Sequence, residues 1–346
     1  MSPSQNILLL GATGYIGGTV LEKLLQHPLA ADFKISTPVR DPVKAEKLKA
    51  FGVTPVVADF QYDLDMLKTL AKDADVVFSI ADSSNLPAAK AVLAGTKTRF
   101  ELTGRQTIYI HTSGAGAIAD CTVLGMHGNG PTWDDLDEVQ MASIGPTQLH
   151  RAVDLEIFSA DDEGYIKSYI IIPTTIYGVA IGPLVESGIQ KPQTTVLPPL
   201  IAASLDRGQA GMVGDGKNVW QNVELRDVAD LYIVLYDAII TDTMTAHGRS
   251  GLYFAENGTH ELVQVGEIIA RTLFEHGRGK SPKPTSFTTE EGVKYFGPLA
   301  PLIGSNAKCS ANRARALGWK PTKTTSDFLA CVLDVATSYA SAGKDV

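Results

Sequence analysis

Gly11-Ala12-Thr13-Gly14-Tyr15-Ile16-Gly17 stands directly behind the apolar run Asn6-Ile7-Leu8-Leu9-Leu10 and just before Thr19–Gln26, whose apolar residues recur at helical spacing. A buried strand that runs into three glycines and out into a helix has a specific physical use. One glycine permits the tight turn, another lets the backbone approach a ligand, and the third lets helix pack on strand. The N–H groups left free at the helix start, together with the helix dipole, then favour a phosphate. Three spaced glycines alone are a weak signal, but the strand before them and the helix after them supply the required context. The pyrophosphate of a dinucleotide is therefore expected on this turn, with Gly11, Thr13, Gly14, Tyr15, Ile16 and Gly17 as its contacts.

The end of the second expected strand decides which dinucleotide. An acidic residue there would hydrogen-bond a ribose hydroxyl, whereas a basic one would pair with the extra phosphate of NADP(H). The chain reads Pro38-Val39-Arg40-Asp41-Pro42-Val43-Lys44. Arg40 holds the strand-end position, Lys44 can reach the same anion, and the planar arginine fork can grip two phosphate oxygens. NADP(H) is thus the expected cofactor. Asp59, followed by Phe60, ends the third strand where it can meet the adenine amino group. Ala81 and Asp82, after the fourth, close the cofactor's other side.

Further out, apolar runs read as strands at 6–10, 33–39, 53–58, 75–80, 107–112 and 167–172. Helical stretches lie between them, near 43–50, 63–71, 87–102 and 149–160. Such alternation predicts an α/β fold, a Rossmann doubly wound parallel sheet covered by helices on both faces. After Pro173 the alternation loosens, and helical pieces follow near 198–206, 226–240, 261–275 and 289–296. The expected organisation is an NADP-binding domain over 1–177, with returns to it near 215–255, and a smaller C-terminal, mostly substrate-binding domain over 178–346. The irregular stretch 115–145 carries the acidic run Trp133-Asp134-Asp135-Leu136-Asp137-Glu138. It reads equally as a lid facing substrate or as a surface insertion without a role.

Composition narrows the function classes. With 346 residues, 44% hydrophobic and 20% charged, the chain is an ordinary globular protein with room for two domains. Its net charge of −8 argues against a nucleic-acid partner, because phosphate backbones select basic surfaces. Cys121, Cys309 and Cys331 are far apart and odd in number, which suits a reducing compartment and offers no disulfide framework or metal cluster. No run approaches membrane-spanning length and no targeting segment is legible, so a cytoplasmic protein with no membrane partner and no metal is expected. Without a Gly-x-Ser-x-Gly elbow, a serine hydrolase is unsupported.

Taken together, these residues resemble the extended or atypical short-chain dehydrogenase/reductases, the group that includes sugar-nucleotide epimerases and dehydratases, flavanone reductases and NmrA-like proteins. The opening glycine turn resembles the extended-type motif, and Val39-Arg40-Asp41-Pro42 with Lys44 the NADP-type strand end. His111-Thr112-Ser113 resembles the strand carrying the group's active-site serine. Pro173-Thr174-Thr175-Ile176-Tyr177-Gly178 resembles the turn beside the nicotinamide, which implies contacts from Pro173 and Ile176. Gly214-Asp215-Gly216, Val223 to Ala229, Asn312-Arg313 and Leu317-Gly318-Trp319-Lys320-Pro321 resemble later segments in order, so the likeness spans nearly the whole chain. It implies a homodimer by family habit.

One part of the pattern is missing. The group's chemistry uses Tyr-x-x-x-Lys, in which the lysine lowers the tyrosine's pKa and holds the nicotinamide ribose. None of the eleven tyrosines here has lysine four residues later. Counting back from Pro173 puts Pro146 at the tyrosine position and His150 at the lysine position, with Asp154 following. A register shifted by two gives Gln148 and Ala152. In one reading His150, with Arg151, replaces the lysine, and the proton comes from Ser113, Tyr177 or the 115–145 stretch, or is not needed because the substrate is an iminium or conjugated enone. The chain is then an NADP(H)-dependent reductase of a small organic carbonyl, enone or imine. In another it binds the dinucleotide without chemistry and reports redox state to a protein partner, as NmrA-like proteins do. An epimerase or dehydratase that recycles its cofactor is the third reading, and the missing tyrosine weakens it most. Ser113 reads equally as a carbonyl-orienting group or a strand cap, His111 reads as a near-core histidine, and Trp133 and Trp220 as packing between domains rather than pocket walls.

Overall fold

The computed structural model describes residues 4–194, 197–241, 243 and 245–342, so the outer limits of the two expected domains, 1 and 346, lie outside the described residues. Gln5–Leu10 forms β1, and the side chains of Ile7 to Leu10 are at most 1% exposed. Burial on both faces leaves no position for an alternating polar residue. The chain continues as α1 (Tyr15–Leu25), β2 (Phe33–Val39), α2 (Pro42–Lys49), β3 (Thr54–Val57), α3 (Leu64–Lys72), β4 (Val76–Ser79), α4 (Leu86–Thr103) and β5 (Thr107–Thr112). The strands Ile166–Pro173 and Leu252–Ala255 complete a seven-stranded sheet. Its order is Leu252–Ala255, Ile166–Pro173, β5, β4, β1, β2, β3, and every pairing is parallel. This is the Rossmann doubly wound α/β architecture that the alternation of strands and helices predicts, with a smaller C-terminal part.

Local chemistry sets the element ends. Asp41 caps α2 by accepting from the backbone N–H groups of Val43 and Lys44, and a proline follows at the first helical position. Asn85 caps α4 in the same way through Ala88, and that helix stops at Gly104 in the left-handed region, φ +66°.

The C-terminal part has its own small sheet, Thr259–Glu261, Val219–Glu224 and Thr175–Tyr177, and a second apolar core that includes Leu200, Ile201, Val265, Ile269 and Leu273. The helix Thr325–Ser341, which the sequence reading left out, supplies Phe328, Val332, Ala336 and Ala340 to it. Its buried positions recur every four residues, but two of the four are alanine, so the apolar stripe is faint in the sequence. The later resembling segments hold one another. Trp319 Nε1 donates to the Asp227 carbonyl at 2.7 Å, and the Asp227 carboxylate accepts from the backbone N–H groups of Thr322 and Lys323, both at 3.0 Å.

The 115–145 stretch is stitched to this C-terminal part rather than hanging as a lid. Trp133–Asp134 pairs in parallel with Cys309–Ser310, and Asp120 bridges Asn306. Asp135, 1% exposed, accepts from the backbone N–H groups of Phe254 at 3.0 Å and Arg313 at 2.7 Å. Burial pushes its carboxyl up to about 6, against the pull of these donors. No helix among the described residues is long and apolar enough to cross a membrane.

Candidate functional site

From β1 the chain builds outward to β3, then returns to place β4 on the opposite side of β1, so the order of strand addition reverses between β1 and β4 while the strands stay parallel. Crevices of this kind lie at the carboxyl ends of the two strands. Gly11 sits there with φ +96°, and a Cβ on it would stand 2.9 Å from the Ala81 nitrogen. A Cβ on Gly17 would stand 2.2 Å from the Gly11 carbonyl oxygen. That closeness lets α1 begin at Tyr15, on the turn itself, rather than at the predicted Thr19. Gly14 caps the helix without a side chain, so no side-chain oxygen answers the first-turn N–H groups. The turn is backed by a segment that the sequence reading passed over. Gln190 Nε2 donates to the Tyr15 carbonyl at 2.9 Å and to Thr19 Oγ1 at 2.8 Å, and Lys191 donates its backbone N–H to the Thr13 carbonyl at 3.2 Å. The first of these contacts spans 175 residues of sequence, and nothing near Gln190 signals it.

At the adenosine end, Arg40 follows β2 directly and is solvent-facing, 3.9 Å from Asp59 Oδ2. Asp59 Oδ1 accepts from Gln61 N at 2.7 Å. Asp41, the other acid at this strand end, is committed to the α2 cap. Arg40 and Asp59 thus meet past the ends of β2 and β3, with Lys44 in the first turn of α2, and none of Arg40, Lys44, Asp59 and Phe60 lines the cleft described next.

The cleft, about 380 Å³, runs from α1 across Ala81 and Asp82 to Ser113, His150, Pro173 and Ile176. His150 carries the least ordinary backbone there, φ +70° at the N-cap of the helix Arg151–Asp162. A non-glycine residue in that region costs about 1–3 kcal/mol and persists only where its surroundings fix it. Here Ser83 and Ser84 hydroxyls lie 3.0 and 2.9 Å from Nδ1, and Nε2 stands beside Gly114. Burial lowers the His150 pKa, while Asp82 opposes the shift. The helix expected from 149 begins at Arg151, so positions 146 and 150 are not on one helix face and a Tyr-x-x-x-Lys spacing would not bring two side chains together.

The other candidates are less available. Ser113, 4% exposed, donates from Oγ to Asp154 Oδ2 at 3.1 Å, so its proton is already committed. Asp154 is fully buried, and burial pushes its carboxyl up to about 6 despite Arg151, whose Nη1 lies 3.6 Å away. Two placements correct the sequence reading. Arg151 is 4% exposed, turned to Asp154 and the Phe158 ring, and does not line the cleft with His150. Tyr177 is 2% exposed and donates to the Thr324 carbonyl at 2.9 Å; Ile176 beside it faces the cleft instead, because neighbours on a strand point to opposite sides. His111 is 1% exposed, with Nδ1 3.3 Å from Ser79 Oγ, as a near-core histidine should be. Trp220, read as packing, is a cleft wall, whereas Trp133 is not.

Comparison with known proteins follows the same division. Residues 3–97 match the model of the NmrA-like family. Over 339 residues the chain is 29% identical to oxidase ucsJ of Acremonium sp., covering 92% of this chain and 93% of that protein. It is 37% identical to the phenylcoumaran benzylic ether reductase Betv6 of Betula pendula over 102 residues, 28% of this chain and 32% of that one. The dTDP-glucose 4,6-dehydratase of Bacillus anthracis, solved with NAD, shares the fold at a TM-score of 0.60 and 16% identity, over 97% of this chain and 96% of that one. The resemblance to NmrA-like and epimerase/dehydratase-like proteins therefore holds at both levels, sequence for the opening segment and fold for the whole.

Proposed function

We propose that this chain is an NADP(H)-dependent oxidoreductase that reduces a small organic carbonyl, enone or imine. The observation that carries the reading is the cradle: Gly11 and Gly17 leave no room for a Cβ, and an uncapped helix start looks into a cleft that ends at His150. The names oxidase and reductase borne by relatives, and the NAD held by a protein of the same fold, support it. Gly11, Thr13, Gly14, Tyr15, Ile16 and Gly17 would hold the pyrophosphate. Arg40, with Lys44, would pair with a 2′-phosphate, and Asp41, engaged as a helix cap, does not compete for it. Asp59 and Phe60 would flank the adenine, with Ala81, Asp82, Pro173 and Ile176 along the remainder.

When bound, the reduced nicotinamide supplies a hydride to an electrophilic carbon. The chain's own part is to bind, orient and hydrogen-bond. With the Ser83 or the Ser84 hydroxyl donating to the one lone pair of Nδ1, neutral His150 would hold its proton at Nε2 and donate it as a hydrogen bond to a ribose hydroxyl or a substrate oxygen. Ser113, its proton engaged by Asp154, is left to accept. Tyr177 takes no part.

Calorimetric titration of the purified chain with NADPH and NADH, followed by a carbonyl and imine panel read at the NADPH absorbance band, tests the reading. Micromolar or tighter NADPH binding with turnover of a panel member supports it. Absence of binding by either dinucleotide refutes it. Tight binding with no turnover supports the regulatory alternative instead, which the engagement of the Ser113 proton by Asp154 favours.

A further inference from the structure

A second cavity, about 190 Å³, adjoins the cleft and shares Thr174, Trp220 and Leu302 with it. Its other walls are mainly Leu197, Leu200, Leu262, Val265, Ile303 and Phe328. Among the described residues no lysine, arginine, aspartate or glutamate lines it. Besides Thr174 and Thr175, two neutral polar side chains do. Asn218, 1% exposed, donates from Nδ2 to the carbonyls of Ile303 at 3.0 Å and Ser305 at 2.9 Å, and its Oδ1 has no hydrogen-bond partner among the described residues. His260 lies on the Phe328 ring with centroids 4.3 Å apart, and its Nδ1 stands 3.2 Å from Asn222 Nδ2. With the amide donating to Nδ1, the proton sits on Nε2 and is free to be offered. Burial lowers this imidazole to about 3, so it carries no charge near neutrality.

A nucleotide sugar brings a pyrophosphate, which calls for arginine, lysine or exposed backbone N–H groups. This lining offers apolar walls, aromatic faces and polar groups that carry no charge. Resting on the dinucleotide reading of the adjoining cleft, the geometry points to this chamber as the substrate's subsite: it takes the ring-bearing body of an uncharged, apolar carbonyl compound against Trp220 and Phe328, leaves the carbonyl in the adjoining cleft, and rejects nucleotide sugars.

The test uses the full chain saturated with NADP+, so that no reduction follows binding, titrated calorimetrically with 2-acetylnaphthalene and separately with UDP-glucose. The ketone is expected to bind saturably and UDP-glucose not to bind. Ile303→Glu places a charge on a half-buried wall and Val265→Phe fills the chamber; each is expected to weaken the ketone at least about tenfold while NADPH affinity stays within about twofold. Should one variant fail to melt cooperatively, the other carries the comparison, and the contrast of the two probes on the wild type decides on its own. NADPH binding accompanied by tighter UDP-glucose than ketone, or ketone binding indifferent to both substitutions, overturns the chamber assignment and leaves the dinucleotide reading intact. Failure of NADPH to bind overturns both.

Discussion

The two ends of the cleft are made of different material. At the β1–α1 turn the surface is backbone, and its shape depends on the absence of side chains at Gly11 and Gly17. At the far end, in the chamber beside Trp220, the surface is side chain, drawn from Leu197, Val265, Ile303 and Phe328 on separate elements. A backbone surface tolerates almost no change, since a single Cβ meets main-chain atoms that cannot move aside. A side-chain surface tolerates volume-conserving exchange and is reshaped without loss of fold. The first kind suits a ligand whose phosphates are always the same, the second a ligand that differs from one relative to the next.

Gly17→Ala is the sharpest test of that contrast. Its Cβ would stand 2.2 Å from the Gly11 carbonyl oxygen, so either the helix or the turn must shift. Loss of NADPH affinity by at least about a hundredfold is expected in the calorimeter. Gly104→Ala is the control: φ is +66° but nothing lies within 4 Å of the added carbon. It should lower stability by about 1 kcal/mol and leave NADPH binding unchanged. Equal loss in both variants would erase the distinction between a cradle and an ordinary glycine turn.

That difference also explains what was legible from the sequence. Gly11 and Gly17 announce their geometry because a Cβ there would meet backbone, and β1 announces itself by the apolar run Ile7 to Leu10. Arg40 stands directly after β2, where its place along the chain was expected, 3.9 Å from Asp59. Tyr177 and Arg151 were misjudged because a motif gives a position along the chain and not the direction of the side chain. The chamber was not legible at all. Its walls are apolar residues that look like any core, and only the three-dimensional gap between them distinguishes it. Ser83, Ser84 and Gln190 likewise became visible only when chain segments far apart in sequence met.

His150→Asn addresses the point where the two ends meet. Asparagine accepts the left-handed backbone, so the fold and the start of Arg151–Asp162 should survive. The shorter side chain withdraws the Nε2 donor, and a fall in kcat of about 10² to 10³ is expected. A neutral donor requires no imidazolium, so wild-type kcat should be flat between about pH 6.5 and 8. Unchanged kcat in the variant would move the donor role elsewhere.

Arg40→Ala comes next in size. The guanidinium is exposed and only loosely paired with Asp59 at 3.9 Å, so its removal should not disturb the fold. NADPH should weaken by about tenfold or more and NADH hardly at all, the loss of one charge-assisted phosphate contact. Parallel weakening of both dinucleotides would mean that Arg40 supports the site in general and does not read the 2′-phosphate.

The smallest effect separates the ends by proton linkage. His260, in the chamber, has its folded pKa lowered from about 6.5 to about 3 by burial. The unfolded chain then binds more protons than the folded one in that window, so this residue's contribution is complete above about 6.5 and is lost as pH falls. Asp154, behind Ser113, is raised to about 6 by burial and acts in the opposite sense, its contribution present below about 4 and lost as pH rises through 6. Wild-type stability alone would show the two partly cancelling. The difference between wild type and His260→Gln isolates the chamber: from pH 7 to pH 5 the Tm gap should move in the variant's favour by a few degrees, because glutamine keeps a partner for Asn222 and has no proton to take up. A gap independent of pH would mean that His260 is protonated as readily in the folded chamber as in water, and a chamber that wet would not select an apolar guest.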